Sequence, residues 1–188
     1  MREAELLRRV IGTLERAGVP YMLTGSFASS LQGYPRSTGN VDLVARLDAG
    51  AVRELKLAFP GPEFELDEEA ALRAVAGLEA FQLTGPGGAR VVFWPASDSA
   101  FDRARFARSY AEEFQGQRLT VSSPEDTILV KLYWGGRSGE TEKQAQDALG
   151  VYELQYSRLD LAYLRRWAAA LGVQRQLAAL EKEAQRLG

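Results

Sequence analysis

Tyr21-Met22-Leu23-Thr24-Gly25-Ser26-Phe27-Ala28-Ser29-Ser30-Leu31-Gln32-Gly33-Tyr34-Pro35-Arg36-Ser37-Thr38-Gly39-Asn40-Val41-Asp42-Leu43 is the stretch that decides the fold. Its first four residues are short and apolar, as in a buried strand. Gly25 and Ser26 then open a helix through Ala28 and Leu31, which stops near Gly33 and Pro35. After a loop, a second strand runs from Val41 to Leu47. Asn40 and Asp42 stand two residues apart on it, and strand side chains alternate, so both point to one face.

Each of these residues has a chemical reading and a plain one. A glycine between strand and helix lets a ligand come close to the backbone. The amides of the following helix start, with the Ser26 hydroxyl, suit a phosphate. An ordinary strand-to-helix turn would look the same. Asp42 is a charge among Val41, Leu43 and Val44, either at an exposed strand end or held for chemistry. Asn40 can ligate a cation through its carbonyl oxygen but brings no negative charge. Arg36 and Thr38 lie in the preceding loop. Arg suits bidentate phosphate contact, and a polar loop is the alternative.

The rest of the chain narrows the options. With 188 residues it can bury a real core. The 23 basic and 25 acidic residues nearly cancel, leaving net −2, so no global field draws it to nucleic acid or membrane. Cysteine and histidine are both absent. That excludes disulfides, thiolate metal sites, Ser-His triads and most zinc sites. Chemistry must come from carboxylates, Lys, Arg, hydroxyls or a hard cation held by oxygen. The charged N-terminus does not read as a signal peptide, and no apolar run is long enough to span a bilayer. A cytoplasmic location without membrane partners is the expectation.

Outward from the deciding stretch, Leu6, Leu7, Val10, Ile11 and Leu14 recur at helical spacing, and Gly18 with Pro20 ends that helix. Asp48 caps a helix carrying Val52, Leu55 and Leu57, which stops at Pro60. Residues 60–67 read as a loop or short extended piece, and Glu68 to Val75 as a helix. Phe81–Leu83 and Arg90–Trp94 form a hairpin across Thr-Gly-Pro-Gly-Gly. Leu119–Val121 is a short strand. Ser123-Pro124-Glu125-Asp126 is a helix start, with a Ser cap, Pro at the first position and acids in the first turn. Gly135-Gly136-Arg137-Ser138-Gly139 breaks the chain, and helical patterns follow over 140–156, 160–171 and 173–187. The expected organisation is a small α/β unit over 1–122 and a C-terminal helical bundle over 123–188.

Two further clusters carry charge. Lys131 interrupts Ile128-Leu129-Val130-Lys131-Leu132-Tyr133-Trp134, where it either snorkels to water or is aimed at an anion. Asp147 lies in the next helix, on a solvated face or paired with Lys131. Arg103, Arg105 and Arg108, interleaved with Phe101, Phe106 and Tyr110, would suit single-stranded nucleic acid. The commoner meaning is an amphipathic helix with its aromatics in the core.

Taken in order, these motifs resemble the nucleotidyltransferase superfamily of the DNA polymerase beta-type fold. They are most similar to its AbiEii-like branch of toxin components. The matching residues are Gly25-Ser26, Ala28, Gly33 and Arg36-Ser37-Thr38-Gly39-Asn40-Val41-Asp42-Leu43. Further on are Pro124-Glu125-Asp126-Thr127-Ile128-Leu129-Val130-Lys131 and then Asp147. The resemblance spans about residues 4–172. It implies an α/β (α+β) nucleotidyltransferase-like mixed β-sheet with flanking helices. It also implies magnesium, or manganese, bound weakly without nucleotide at Asp42 and Asn40. Gly25, Ser26, Arg36 and Thr38 would hold a nucleoside triphosphate, and Asp42, Lys131 and Asp147 would serve catalysis. An RNA or protein acceptor and an antitoxin-like partner complete the implication.

The chain departs from that pattern at two positions. Asn40 stands where the first strand acid is expected. Val92, in Arg90-Val91-Val92-Phe93-Trp94, stands where the third is expected, with Asp98 or Asp102 as weak substitutes. Losing two of three acids removes most of the charge that would hold magnesium. Three functions remain at this stage: a nucleotidyltransferase with a degraded metal site, a nucleotide- or partner-binding pseudoenzyme, and a structural or interaction domain.

Overall fold

A computed structural model describes residues 3–137 and 141–187. In chain order its elements begin α1 Glu3–Arg16, β1 Tyr21–Thr24, α2 Gly25–Gln32, β2 Val41–Ala45, α3 Ala49–Ala58 and α4 Glu68–Gly77. Next come β3 Phe81–Thr84, β4 Arg90–Pro95, α5 Ala100–Arg108, β5 Tyr110–Phe114 and β6 Gln117–Val121. The last are α6 Pro124–Gly135, α7 Thr141–Gln155, α8 Leu161–Leu171 and α9 Gln174–Leu187. They fall into two compact units, residues 1–24 with 38–121 and residues 25–37 with 122–188.

The first unit is built on one mixed sheet in the order β3-β4-β2-β1-β6-β5. β1 pairs antiparallel with β2 and parallel with β6. β2 pairs parallel with β4, and β3–β4 and β5–β6 are antiparallel hairpins. The two central strands are the most apolar, and all of β1 and four of the five residues of β2 are buried. α1 buries Leu6, Leu7, Val10, Ile11 and Leu14, the positions its periodicity marks. Asp48 caps α3, its Oδ1 accepting from the Ala51 amide at 2.8 Å.

Several expectations are corrected here. β2 stops at Ala45 rather than Leu47, because the Leu47 amide turns back to the Ala45 carbonyl. Asn40 lies in the bend before β2, not on the strand. The β1 ladder ends at the Thr24–Asp42 pair, since the chain turns into α2 at Gly25. Leu57 is 73% exposed and takes no part in the core. The basic-aromatic stretch is a helix followed by a strand. Its Arg105 is buried and paired with Asp102, and Phe101, Phe106 and Tyr110 are half-buried. It is therefore no open row of cations and stacking rings.

The second unit is all helical. It takes α2 together with α6 to α9, so residues 25–37 group with the C-terminal helices rather than with the strands that flank them in sequence. The reason is close packing at glycines. A Cβ on Gly33 would stand 2.9 Å from the Val151 amide nitrogen in α7. A Cβ on Gly150 would stand 2.8 Å from the Tyr34 ring. α6 starts as its sequence predicts, with Ser123 capping the Asp126 amide. Of the expected break over 135–139, Ser138 and Gly139 lie outside the described residues.

Candidate functional site

In the first unit the candidate residues lie along one row of the sheet. Thr24 pairs with Asp42, Asp42 with Val92, and Val92 with Gln82. Ladder partners project to one face, so Val92 stands beside Asp42, one strand away. The sequence register that put Val92 in an acid's place is therefore the register of the fold. Trp94, two residues on and so on the same face, donates its indole N–H to Asp42 Oδ1 at 3.1 Å. Sequence reasoning missed this contact, although the period-two spacing of Val92 and Trp94 could have suggested it. Neither weak substitute joins the row. The Asp98 side chain is 98% exposed, and Asp102 is held by Ser97 and Arg105.

This donor set does not fit magnesium or manganese held by the protein alone. Hard cations take several anionic or carbonyl oxygens. Here one carboxylate is flanked by Val92, and one of its oxygens already accepts an N–H. Asn40 has left the strand. Among the described residues no group of three or more acids is placed to hold a metal ion.

The second unit brings four candidates together. Arg36 grips Asp147 with both ends of its guanidinium fork, Nε to Oδ1 at 2.7 Å and Nη2 to Oδ2 at 2.6 Å. Lys131 Nζ donates to the same Oδ2 at 2.6 Å. Both cations also reach Ser26 Oγ, Arg36 at 2.7 Å and Lys131 at 3.2 Å. Lys131 is only 3% exposed, so it is aimed at an anion and does not snorkel. Burial pushes the Asp147 carboxyl up. The hydrogen bonds and charges of Arg36 and Lys131 outweigh that and hold it below its ordinary value.

Arg36, Lys131 and Asp147 thus converge on the Ser26 hydroxyl. Ser26 sits in the first turn of α2, directly after Gly25, whose φ of 64° is the left-handed conformation glycine accepts readily. Thr38 falls in the first unit, with the strands.

The acids of Pro124-Glu125-Asp126 have a different task. Asp126 is fully buried and accepts from the Ser123 and Tyr163 hydroxyls, each at 2.7 Å. Glu125 accepts from the Asp160 amide at 2.8 Å. Both tie α6 to the start of α8 and leave Lys131, farther along α6, to meet Asp147.

No protein-family model and no curated protein matches this chain. Solved structures do. The solution structure of the antibiotic-resistance factor ANT(2'')-Ia aligns over 97% of this chain and 96% of its own, with TM-score 0.53 and 17% identity. The chain has the nucleotidyltransferase fold. A crystal structure of ANT(2'')-Ia with adenylyl-2''-tobramycin aligns over 89% of this chain and 95% of its own, with TM-score 0.53 and 16% identity. An antigenic nucleotidyltransferase-like protein from Paracoccidioides brasiliensis aligns over 88% and 90%, with TM-score 0.52 and 19% identity. The mixed α/β architecture expected from the motifs is the one found. Among the described residues, no helix is long and apolar enough to cross a membrane.

Proposed function

We propose that this chain binds a nucleoside triphosphate, with Gly25, Ser26, Arg36 and Lys131 taking the phosphates and Asp147 holding both cations in place. The observation that carries this reading is the convergence of Arg36 and Lys131 on one carboxylate and one hydroxyl. Here both side chains meet Asp147 and reach the Ser26 hydroxyl at a helix start whose amides also favour an anion. The nucleotidyltransferase fold supports the choice of a nucleotide over other anions. Equilibrium binding of each nucleoside triphosphate to the full chain tests it, and failure of all four nucleotides to bind sinks it.

A second reading is nucleotidyl transfer to a hydroxyl on RNA or protein, with Asp42 as the one strand carboxylate. Asp42 favours it, because an acid is kept in an otherwise apolar strand. So does the neighbour solved with adenylyl-2''-tobramycin. The AbiEii-like branch and an antitoxin-like partner belong to this second reading. The pseudoenzyme reading is favoured by Val92 beside Asp42 and by Asn40 off the strand. Incubation with each labelled nucleoside triphosphate, magnesium or manganese, and total RNA separates them, since only a transferase labels an acceptor.

A further inference from the structure

Tyr34 stands two residues before Arg36, in the segment that follows α2, and both belong to the second unit. Its backbone is placed by the close approach of α2 to α7. A Cβ on Gly150 would stand 3.4 Å from the Tyr34 amide nitrogen. The ring comes down on the same glycine, with Cδ2 2.8 Å and Cε2 3.5 Å from that Cβ position. Its hydroxyl donates to Glu153 Oε2 at 3.2 Å. Tyr34 is nonetheless 62% exposed, so much of its side chain is left to solvent. A tyrosine on the surface is ordinary. What sets this one apart is what lies beside it.

Asp147 and Gly150 are three positions apart on α7 and so are neighbours on one face of the helix. Their separation along the axis is about 4.5 Å. The ring seated on Gly150 therefore lies one turn from the carboxylate that gathers Arg36 and Lys131. The same face continues four positions on to Leu154, which is also exposed. Along α7 the order is a charged cluster, an open aromatic ring and an apolar side chain. A ligand with phosphates at one end and a flat ring at the other matches that order. Aromatic side chains receive nucleobases by stacking, because every base has a π-face. The Glu153 carboxylate pushes the Tyr34 hydroxyl above its ordinary value, so the phenol stays neutral beside an anionic ligand.

We infer that Tyr34 is the platform on which the base of the nucleotide stacks while its phosphates meet Ser26, Arg36 and Lys131. The inference rests on the nucleotide-binding reading above and adds how the base is held. Stacking responds to ring area and not to a hydrogen-bond pattern, so the site takes all four bases, the larger purines more tightly than the pyrimidines.

The test is calorimetric titration of the full chain with ATP, GTP, CTP, UTP and inorganic tripolyphosphate, all in one buffer. Each nucleotide should bind more tightly than tripolyphosphate. Tyr34→Ala should lower the ratio of ATP affinity to tripolyphosphate affinity roughly 5- to 100-fold, the effect of one lost base-stacking contact. Tyr34→Phe, which keeps the ring and gives up the bond to Glu153, should recover most of that ratio. Should Tyr34→Ala fail to fold, Tyr34→Leu still covers Gly150 without a π-face and carries the same expectation. Nucleotide binding with the wild-type ratio in the Ala or Leu variant overturns the inference and leaves the nucleotide reading standing. So does wild-type protein that binds tripolyphosphate as tightly as ATP. Absence of nucleotide binding overturns both.

Discussion

Val92 sits directly beside Asp42 in the parallel β2–β4 ladder, on the same face of the sheet. An acid at position 92 would put two carboxylates side by side at the centre of the sheet, the arrangement a hard cation needs. With a valine there, Asp42 accepts the Trp94 indole N–H on one of its oxygens. One β-branched side chain thus separates a two-carboxylate row from the row found here.

Restoring the acid should restore the response to metal. Val92→Asp, alone or with Asn40→Asp, is expected to lower stability by about 1–3 kcal/mol without magnesium, since a half-buried carboxylate beside Asp42 is poorly solvated and repelled. Added magnesium should then raise its melting temperature by ligand linkage, while the wild type stays flat. Most of the gain should come from position 92, because Asn40 lies off the strand. Melting curves with and without magnesium check this. An equal magnesium response in the wild type would mean that the row holds a cation despite Val92.

Asp147 makes stability depend on pH in one direction. Its folded carboxyl lies below the ordinary value of 3.8, so the unfolded chain binds the proton more readily. Its contribution is fully present above that ordinary value and is lost as pH falls through the lowered folded one. Asp147→Asn should cost about 3 kcal/mol at neutral pH, the low end for breaking a buried pair, because Arg36 keeps 29% exposure. Urea denaturation across pH should find a constant gap between the two proteins near neutrality that narrows only in strong acid. A gap already narrowing near neutrality would contradict the assignment of the charge to Asp147.

The α2–α7 contact should tolerate its two glycines differently. A Cβ on Gly33 meets backbone, the Ser29 carbonyl and the Val151 amide, each at 2.9 Å. Backbone cannot yield without moving a helix, so Gly33→Ala should cost about 2–3 kcal/mol. A Cβ on Gly150 meets chiefly the Tyr34 ring, which is 62% exposed and can swing away. Gly150→Ala should therefore cost only about 1 kcal/mol. Denaturant midpoints of the two variants decide it, and equal losses would mean that Tyr34 is pinned, for instance through its bond to Glu153.

Tyr163→Phe tests the structural role of the Pro-Glu-Asp motif. It removes one of the two hydroxyl donors that Asp126 accepts from in full burial. The expected loss is about 1–3 kcal/mol of stability. Triphosphate affinity should be unchanged in the folded fraction, because the Tyr163 hydroxyl serves Asp126 at the junction of α6 with α8. A selective loss of affinity at unchanged stability would move Asp126 from scaffold to site.

What could be read from the chain was local. Strand, glycine turn, helix and strand over residues 21–45 follow from period, from Gly25 and from the run of Val41 to Val44. The caps at Asp48 and Ser123 follow from donors three residues away. β5 was illegible, because Tyr-Ala-Glu-Glu-Phe carries two adjacent glutamates and has little strand propensity of its own. It forms an edge strand only because β6 pairs with it.

The motif residues named the candidates, yet what each one meets was decided by packing. Arg36 reaches Asp147 across 111 positions, and Trp94 reaches Asp42 across 52. No periodicity spans such distances. They close because Gly33 and Gly150 let α2 and α7 approach within a Cβ radius, and because β4 lies parallel beside β2 in one register. The sequence by itself determined the local elements and the residue types available for chemistry. Only the tertiary structure decided that two cations would share one carboxylate, and that the remaining strand acid would stand beside a valine and accept an indole N–H.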